Sequence, residues 1–438
     1  LSEHRPRRAS RGRREFLQMM ALGGSWVVGA SMGFAKTRKL PNVILILTDD
    51  QGSIDVNCYG STDLYTPHLD SLAKRGVRFD QFYVGAPICS PSRATLLTGR
   101  YPQRAQLDTN AWGKLGMPSA QVTLAEAFKV HGYRTGIFGK WHLGIAPDMS
   151  PLAQGFDAFF GHKEGCIDNY SHYFYWFGPN RHDLWRNDEV CWEEGQFFPD
   201  LIVREAHRFL EENREKPFFM YLPFNVPHYP LQGQAVYRDR YKDLAEPRRA
   251  YAAFVSTLDE KIGQVIDKVD ALGLREDTII VLLSDNGHSV EQRAFGGGGS
   301  AGPYRGHKDT LWEGGIRVPC IVSWPGQIPE DETRDQMVAS MDWFPTILKY
   351  CGIKKVKHRI DGEDISRVIA DRDAPSPHEV LHWQQNQHWA VREGPWKLVA
   401  NGPATQTENG ELPEADLFLS NLEEDVTETV NLAAAHPD

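Results

Sequence analysis

Five short apolar runs, rich in β-branched or aromatic residues, alternate with stretches of helical pattern, and this alternation leaves few folds open. They are "NVILILT" (42–48), "TGIFG" (135–139), "PFFMYLPF" (217–224), "DTIIVLLS" (277–284) and "PCIVSWP" (319–325). A run with no polar face must be covered on both sides, the condition of a mostly parallel sheet between helical layers. Helices fit 67–76, 92–98, 121–131, 200–215, 249–272 and 341–351. The chain is therefore α/β. From about residue 373 the style changes: "HWAVREGPWKLVA" (388–400) reads as two strands around a Glu-Gly-Pro turn, opening a small antiparallel C-terminal subdomain. At 438 residues, one large domain plus such a unit fits the length.

Ligands of open α/β sheets gather beyond the carboxyl ends of the strands. The first run leads into Asp49-Asp50, the second into Lys140, Trp141 and His142, the third into His228, and the fourth into Asp285-Asn286. Singly, each could be a cap or a turn; four at one sheet edge form a candidate site. Asp49, Asp50, Asp285 and Asn286 offer only oxygen, which suits a hard divalent cation, Ca²⁺ ahead of Mg²⁺, whereas zinc or copper would prefer His or Cys. Three crowded carboxylates would raise one another's pKa unless a cation lay between them. The glycine-rich stretch 291–306 is no phosphate-binding P-loop, because Gly-Lys-Ser/Thr is missing.

"ICSPSRATLLTGR" (88–100) adds a nucleophile candidate. Ser90 suits an N-cap, Pro91 the first helical position, and Gly99 the end of the helix. Cys89 would then sit at the positive end of a helix, with Arg93 in the first turn or so; both lower a thiol pKa and attract anions. With Lys140, His142, His228 and Lys308 nearby, the site would bind a tetrahedral oxyanion and hold histidines for proton transfer.

Charge is unevenly spread. Residues 1–39 hold nine Lys or Arg against two Asp or Glu, while the whole chain stands at −10, so residues 40–438 carry −17. An acidic body disfavours nucleic-acid binding. "RGRREFLQMM" followed by "MMALGGSWVVGASMGFA" resembles a bacterial twin-arginine export signal, with small residues Gly33 and Ala35 where cleavage could occur. The apolar run is short for a membrane span of about 20 residues. Expected is an exported protein, periplasmic or extracellular in a bacterium, that meets the twin-arginine machinery already folded. The six cysteines lack C-x-x-C spacing, which argues against a zinc cage, and Cys166 with Cys191 is one conceivable disulfide.

"CSPSRATLLTGR" matches C-x-P-x-R followed by T-G-R, and on it the chain resembles the type I sulfatases of the alkaline phosphatase superfamily. "ILILTDDQG", "GIFGKWHLG", "NVPHYP", "LLSDNGH", "RGHKDTLWEGGIRVP" and the closing "REGPWKL…LFLSNLEEDVTETVNLA" are similar to sulfatase segments in sulfatase order, from about Pro41 to Leu432. The resemblance implies an alkaline phosphatase-like sandwich and hydrolysis of sulfate esters. It also implies oxidation of Cys89 to Cα-formylglycine by a formylglycine-generating or maturase enzyme. One hydroxyl of the aldehyde hydrate would attack sulfur, giving a sulfated enzyme; deprotonating the other would expel sulfate. It further implies Asp49, Asp50, Asp285 and Asn286 as calcium ligands with residue 89 completing the shell. Arg93 would hold the hydrate, Lys140 and Lys308 the sulfate oxygens, His142 would act as base, and His228 as acid to the leaving oxygen. The domains expected are residues 1–39 as export signal, 40–372 as catalytic domain and 373–438 as C-terminal subdomain. Such chains commonly continue into a terminal helix after "VNLAAAHPD", so truncation or loss of that helix are the two readings there.

The insert 161–195 is crowded with Tyr, Trp, His, Asp and Asn, a mixture that suits a sugar ring. His162, Asp168, His172, Trp176 and His182 are its candidate contacts. The expected substrate is a sulfated carbohydrate, an algal polysaccharide or glycosaminoglycan fragment, with a lean to galactose-type sugars. The rivals are a formylglycine-dependent phosphonate monoester or phosphodiester hydrolase, and an unconverted binder of sulfated glycans.

Overall fold

Asn42–Thr48 and Thr278–Ser284 are neighbouring parallel strands, buried along their whole length. Val43, Leu45 and Leu47 pack into one core and Ile44 and Ile46 into another, because successive strand side chains point to opposite faces. Each such buried side chain contributes roughly 1.5–3 kcal/mol relative to exposure. One core is closed by helices Phe198–Asn213 and Arg248–Ala271, through Leu201, Ile202, Phe254, Leu258 and Ile262. The other is closed by helices Cys89–Thr98, Leu124–Lys129 and Trp343–Tyr350, through Leu96, Leu97, Phe128, Trp343 and Phe344.

The computed structural model describes residues 40–437 apart from 355, 357, 408 and 409. The basic segment 1–39, with its expected export role, lies outside the described residues. The main sheet has ten strands in the order Glu332–Arg334, Val77–Phe79, Cys320–Ser323, Thr278–Ser284, Asn42–Thr48, Phe218–Pro223, Arg134–Lys140, Ala158–His162, Trp185–Arg186, Glu189–Val190. The five from Thr278–Ser284 to Ala158–His162 run parallel, while Cys320–Ser323 is antiparallel to both its neighbours. The mixed, mostly parallel sheet between helices is therefore as expected. Among the described residues, no helix is long and apolar enough to cross a membrane.

The C-terminal strands Val380–Gln385, His388–Glu393, Trp396–Gly402 and Ala415–Asn421 form an antiparallel sheet. Glu393 pairs with Trp396 across Gly394 and Pro395, and Gly394 takes the left-handed conformation (φ 54°) that this tight reversal needs. In Val380–Gln385 exposed and buried residues alternate, so one face packs inward. A buried ion cluster ties the sheet to the body: Lys397 reaches Glu313 at 2.9 Å and Glu428 at 3.0 Å. Burial pushes the Glu428 carboxyl up to about 7, whereas Glu313, despite its burial, is held down at about 2 by Lys397, Arg317 and Arg392. All six cysteines are free; Cys166 is buried and Cys191 packs on the outer core, so the conceivable Cys166–Cys191 disulfide is corrected.

Candidate active site

The helix carrying the nucleophile candidate starts earlier than its sequence suggests. It runs Cys89–Thr98 with Ile88 as N-cap and no side-chain cap, so Cys89 is its first residue and Ser90 does not cap it. Long-range bonds replace the cap. Ser90 N donates to Asn110 Oδ1 at 3.1 Å, and Ser90 Oγ donates to the His142 carbonyl at 2.6 Å and accepts from Ala111 N at 2.9 Å. Pro91 sits in the first turn, where a missing N–H costs nothing.

The strand ends bring the other candidates to Cys89. Asp285 N donates to the Thr48 carbonyl and Asp49 N to the Val226 carbonyl, both at 3.0 Å, which carries the sheet pairing one residue past the strands. Asp50 and His142 both have left-handed backbones (φ 63° and 53°), a strain tolerated where surrounding bonds over-determine the conformation. Lys140 Nζ lies 2.7 and 2.9 Å from the Asp49 carboxylate oxygens and 3.3 Å from Cys89 Sγ. Lys308 Nζ bonds Asp50 Oδ2 at 2.8 Å, and Asn286 Nδ2 donates to Asp50 Oδ1 at 2.7 Å. Arg93 donates twice to Asp285 Oδ2, at 3.0 and 2.7 Å, once to the Lys140 carbonyl at 3.2 Å, and lies 3.3 Å from Asp49 Oδ1. His228 Nδ1 donates to the Tyr229 carbonyl, which leaves Nε2 facing Asp50 Oδ2 at 3.7 Å.

Three carboxylates are thus matched by three cations, all of them buried. Burial would raise the Asp49 carboxyl, but the charges of Lys140, Arg93 and Lys308 hold it well below the usual range. Burial lifts Asp285 to about 6 against the pull of Arg93. It drives His228 down to about 4, and with Lys140 and Arg93 holds His142 well below its ordinary value, so both imidazoles are neutral at pH 7. The Cys89 thiol is pushed well above its ordinary value, also by burial, and this corrects the low thiol pKa expected from a helix start.

Ligand atoms of Asp49, Asp50 and Cys89 lie within 4.8 Å of one another, close enough to share one metal ion. Asn286 Oδ1 is buried without a hydrogen-bond partner, an acceptor that suits a cation. With the Asp285 carboxylate at the same edge, the donor set fits a hard divalent ion.

A cavity of about 580 Å³ opens above this cluster. Cys89, His142, His228 and Lys308 line its polar end, whereas Asp49, Arg93, Lys140 and Asp285 lie beneath it with no exposed surface. Trp112, Phe174, Trp176 and Phe177 form an aromatic wall, and Asn110, Glu164, Glu291 and Asp309 bring polar groups to it. Of the five candidate sugar contacts, only Trp176 is on this lining. His162 and His172 are fully buried, bonded to the carbonyls of Glu164 and Gln196. Asp168 accepts from Tyr170 N, Ser171 N and Gln232 Nε2 to hold a turn, and His182 stacks on Trp192 at 3.9 Å. Those four are held by packing and turn chemistry and are not on the cavity lining. Trp112, Asn110 and Glu291 had no local signal, since they come from irregular loops.

The sulfatase family model matches residues 41–353, most of the chain. The chain belongs to the sulfatase family. It is a sulfuric ester hydrolase of the alkaline phosphatase-like superfamily. The model "N-sulphoglucosamine sulphohydrolase, C-terminal" matches residues 305–412. This sulfatase is 31% identical over 429 residues to steryl-sulfatase of Rattus norvegicus, covering 78% of this chain and 72% of that one. To N-acetylgalactosamine-6-sulfatase of Rattus norvegicus it is 35% identical over 390 residues, covering 82% and 71%. Its structure is similar to the crystal structure of Ps i-CgsB in complex with k-i-k-neocarrahexaose, with TM-score 0.80, 28% identity, and coverage of 91% and 90%.

Proposed function

We propose that this sulfatase hydrolyses sulfate esters of carbohydrates, with residue 89 converted to formylglycine as nucleophile and Ca²⁺ held by Asp49, Asp50, Asp285, Asn286 and residue 89. The observation that carries the reading is the convergence of Cys89, Lys140, Lys308 and three carboxylates at the floor of an aromatic-walled cavity. The charges of Arg93, Lys140 and Lys308 offset those of Asp49, Asp50 and Asp285, so a bound divalent ion leaves the site positive and matched to a sulfate group. An ion held by these residues would supply Lewis-acid polarisation of the bound sulfate. Once converted and hydrated, residue 89 would offer one hydroxyl to attack sulfur as the S–O bond to the sugar breaks, and a second whose deprotonation would expel sulfate and regenerate the aldehyde.

The side chains divide the remaining work. Arg93, anchored on Asp285 and Asp49, orients the hydroxyls of residue 89. Lys308 and Lys140 stabilise charge on the sulfate oxygens. His142, held neutral by burial, serves as the base that releases sulfate. His228 Nε2 hands a proton to the leaving sugar oxygen; an anionic ester bound beside it favours the protonated imidazole that this step needs.

Support for a carbohydrate comes from the aromatic wall with polar groups beside it, which suits the C–H faces and hydroxyl rim of a sugar. The names of two of the similar proteins, carrying N-acetylgalactosamine and neocarrahexaose, point the same way, with a lean to galactose-type sugars. The reading keeps residues 1–39 as a twin-arginine export signal, 40–372 as catalytic domain and 373–438 as C-terminal subdomain. It places the mature enzyme outside the cytoplasm, after conversion of residue 89 by a maturase.

Mass spectrometry of the peptide containing residue 89, with sulfate release from defined sulfated oligosaccharides, tests the proposal. Cys89→Ala is expected to fold and bind these sugars without turnover. Substantial sulfate release by purified Cys89→Ala, or faster turnover of a phosphodiester than of every sulfate ester, would sink it.

A further inference from the structure

The concavity above the nucleophile does not end at Trp176. Trp176 and Glu291 also line a second hollow of about 560 Å³, completed by Gln292 and Arg293. Arg293 in turn lines a third, of about 740 Å³, with Tyr175, Tyr229 and Phe295. Arg293 stands at the junction. Its guanidinium lies 3.9 Å from the Trp176 ring centroid, and its Nη1 donates to the Trp176 carbonyl at 3.3 Å. Tyr229 also supports Trp176, its ring stacking there with centroids 5.9 Å apart.

The charge on Arg293 has no acidic partner among the described residues. Glu291 accepts the Tyr229 hydroxyl, and Glu246, on the wall of the third hollow, pairs with Arg249 at 2.6 Å. In a body carrying −17, an arginine on the wall of these hollows without a carboxylate partner leaves its charge open to an external anion. Phe295 supplies an independent sign. It is 85% exposed and has a left-handed backbone (φ 54°), a costly arrangement for a bulky apolar side chain in water. It lines the third hollow with Tyr175, and aromatic faces of this kind suit the C–H face of a sugar.

We infer that Arg293, carried on the face of Trp176, is a second anion-binding position that holds a sulfate or carboxylate of a neighbouring sugar, so that the preferred substrate is a polyanionic oligosaccharide. This rests on the carbohydrate-sulfatase reading of the catalytic cavity. The planar guanidinium suits both anions, each presenting a pair of oxygens to its fork.

Calorimetric binding to the intact chain carrying Cys89→Ala tests the inference without turnover. The ligands are a singly sulfated galactose-type tetrasaccharide, its counterpart with a second sulfate on the adjacent sugar, and its counterpart with a uronate there. Tighter binding of at least one doubly charged ligand, by about fivefold or more, is expected. Arg293→Ala should collapse that ratio to about one, and Arg293→Lys should restore part of it. Which counterpart gains affinity distinguishes sulfate from carboxylate. A ratio that survives Arg293→Ala, or no preference for either doubly charged ligand, overturns the inference. Failure of the carbohydrate-sulfatase reading shows separately, as no sulfate release from any of the three by the converted wild-type enzyme.

Discussion

Gly165→Ala probes how tightly the cavity holds His142. Gly165 has no left-handed backbone, so alanine is permitted there, but its Cβ would lie 2.7 Å from both Cε1 and Nε2 of the His142 ring. Ordinary contact begins at 3.4 Å, so the ring must retreat by about 0.7 Å. The His142 backbone is pinned, its N–H donating to the Lys163 carbonyl at 3.2 Å and its carbonyl accepting from Ser90 Oγ at 2.6 Å. The imidazole alone absorbs the displacement. A misplacement on the order of 1 Å costs about 100-fold in rate, while overpacking one methyl costs about 1–3 kcal/mol of stability. The expected result is kcat/KM for sulfate release down by about 30- to 100-fold, with a cooperative melt only slightly lowered. In a His142→Ala background the clash partner is gone, so adding Gly165→Ala should cost no more than about twofold. Nearly full activity in Gly165→Ala, or a double variant that loses the product of the two single losses, would contradict a clash with His142.

Arg93→Met removes the guanidinium counter-charge of Asp285 and Asp49 in a fully buried setting, and should destabilise metal-free protein by about 3–5 kcal/mol in denaturant melts. Chelation followed by added Ca²⁺ should raise the melting temperature of the wild type, by an amount equivalent to about 2.7 kcal/mol at 100 times Kd, and Asp50→Asn should blunt that gain. Glu428 has a folded value of about 7, above its ordinary 4.5, so the folded state takes up a proton. Stability from this group is present below about pH 4.5 and is lost as pH rises through 7; Glu428→Gln should flatten that decline, read as melts at pH 5 and pH 8. Equal slopes in the two proteins would contradict the buried Glu313–Lys397–Glu428 arrangement.

The long central strands were legible because burial on both faces writes an unbroken apolar run. Val77–Phe79, Trp185–Arg186 and Glu332–Arg334 were not, since two or three residues carry no pattern. The start of the nucleophile helix was misplaced because Ser90 and Pro91 look like a local cap, whereas Asn110, twenty residues on, satisfies the exposed donor.

Contiguous stretches of the chain carry the fold class, the sheet edge where Asp49, Lys140, His228 and Asp285 gather, and the cysteine motif that joins them. Each of these is encoded in a contiguous stretch whose composition answers to its own burial or its own turn. Which cation meets which carboxylate, that Lys140 and Arg93 lie beneath the cavity, and that Trp112, Trp176 and Arg293 line the path to it while His162 and His172 do not, emerge from the folded chain. Those outcomes depend on loops far apart in the chain meeting over the strand ends, and no local periodicity records such a meeting.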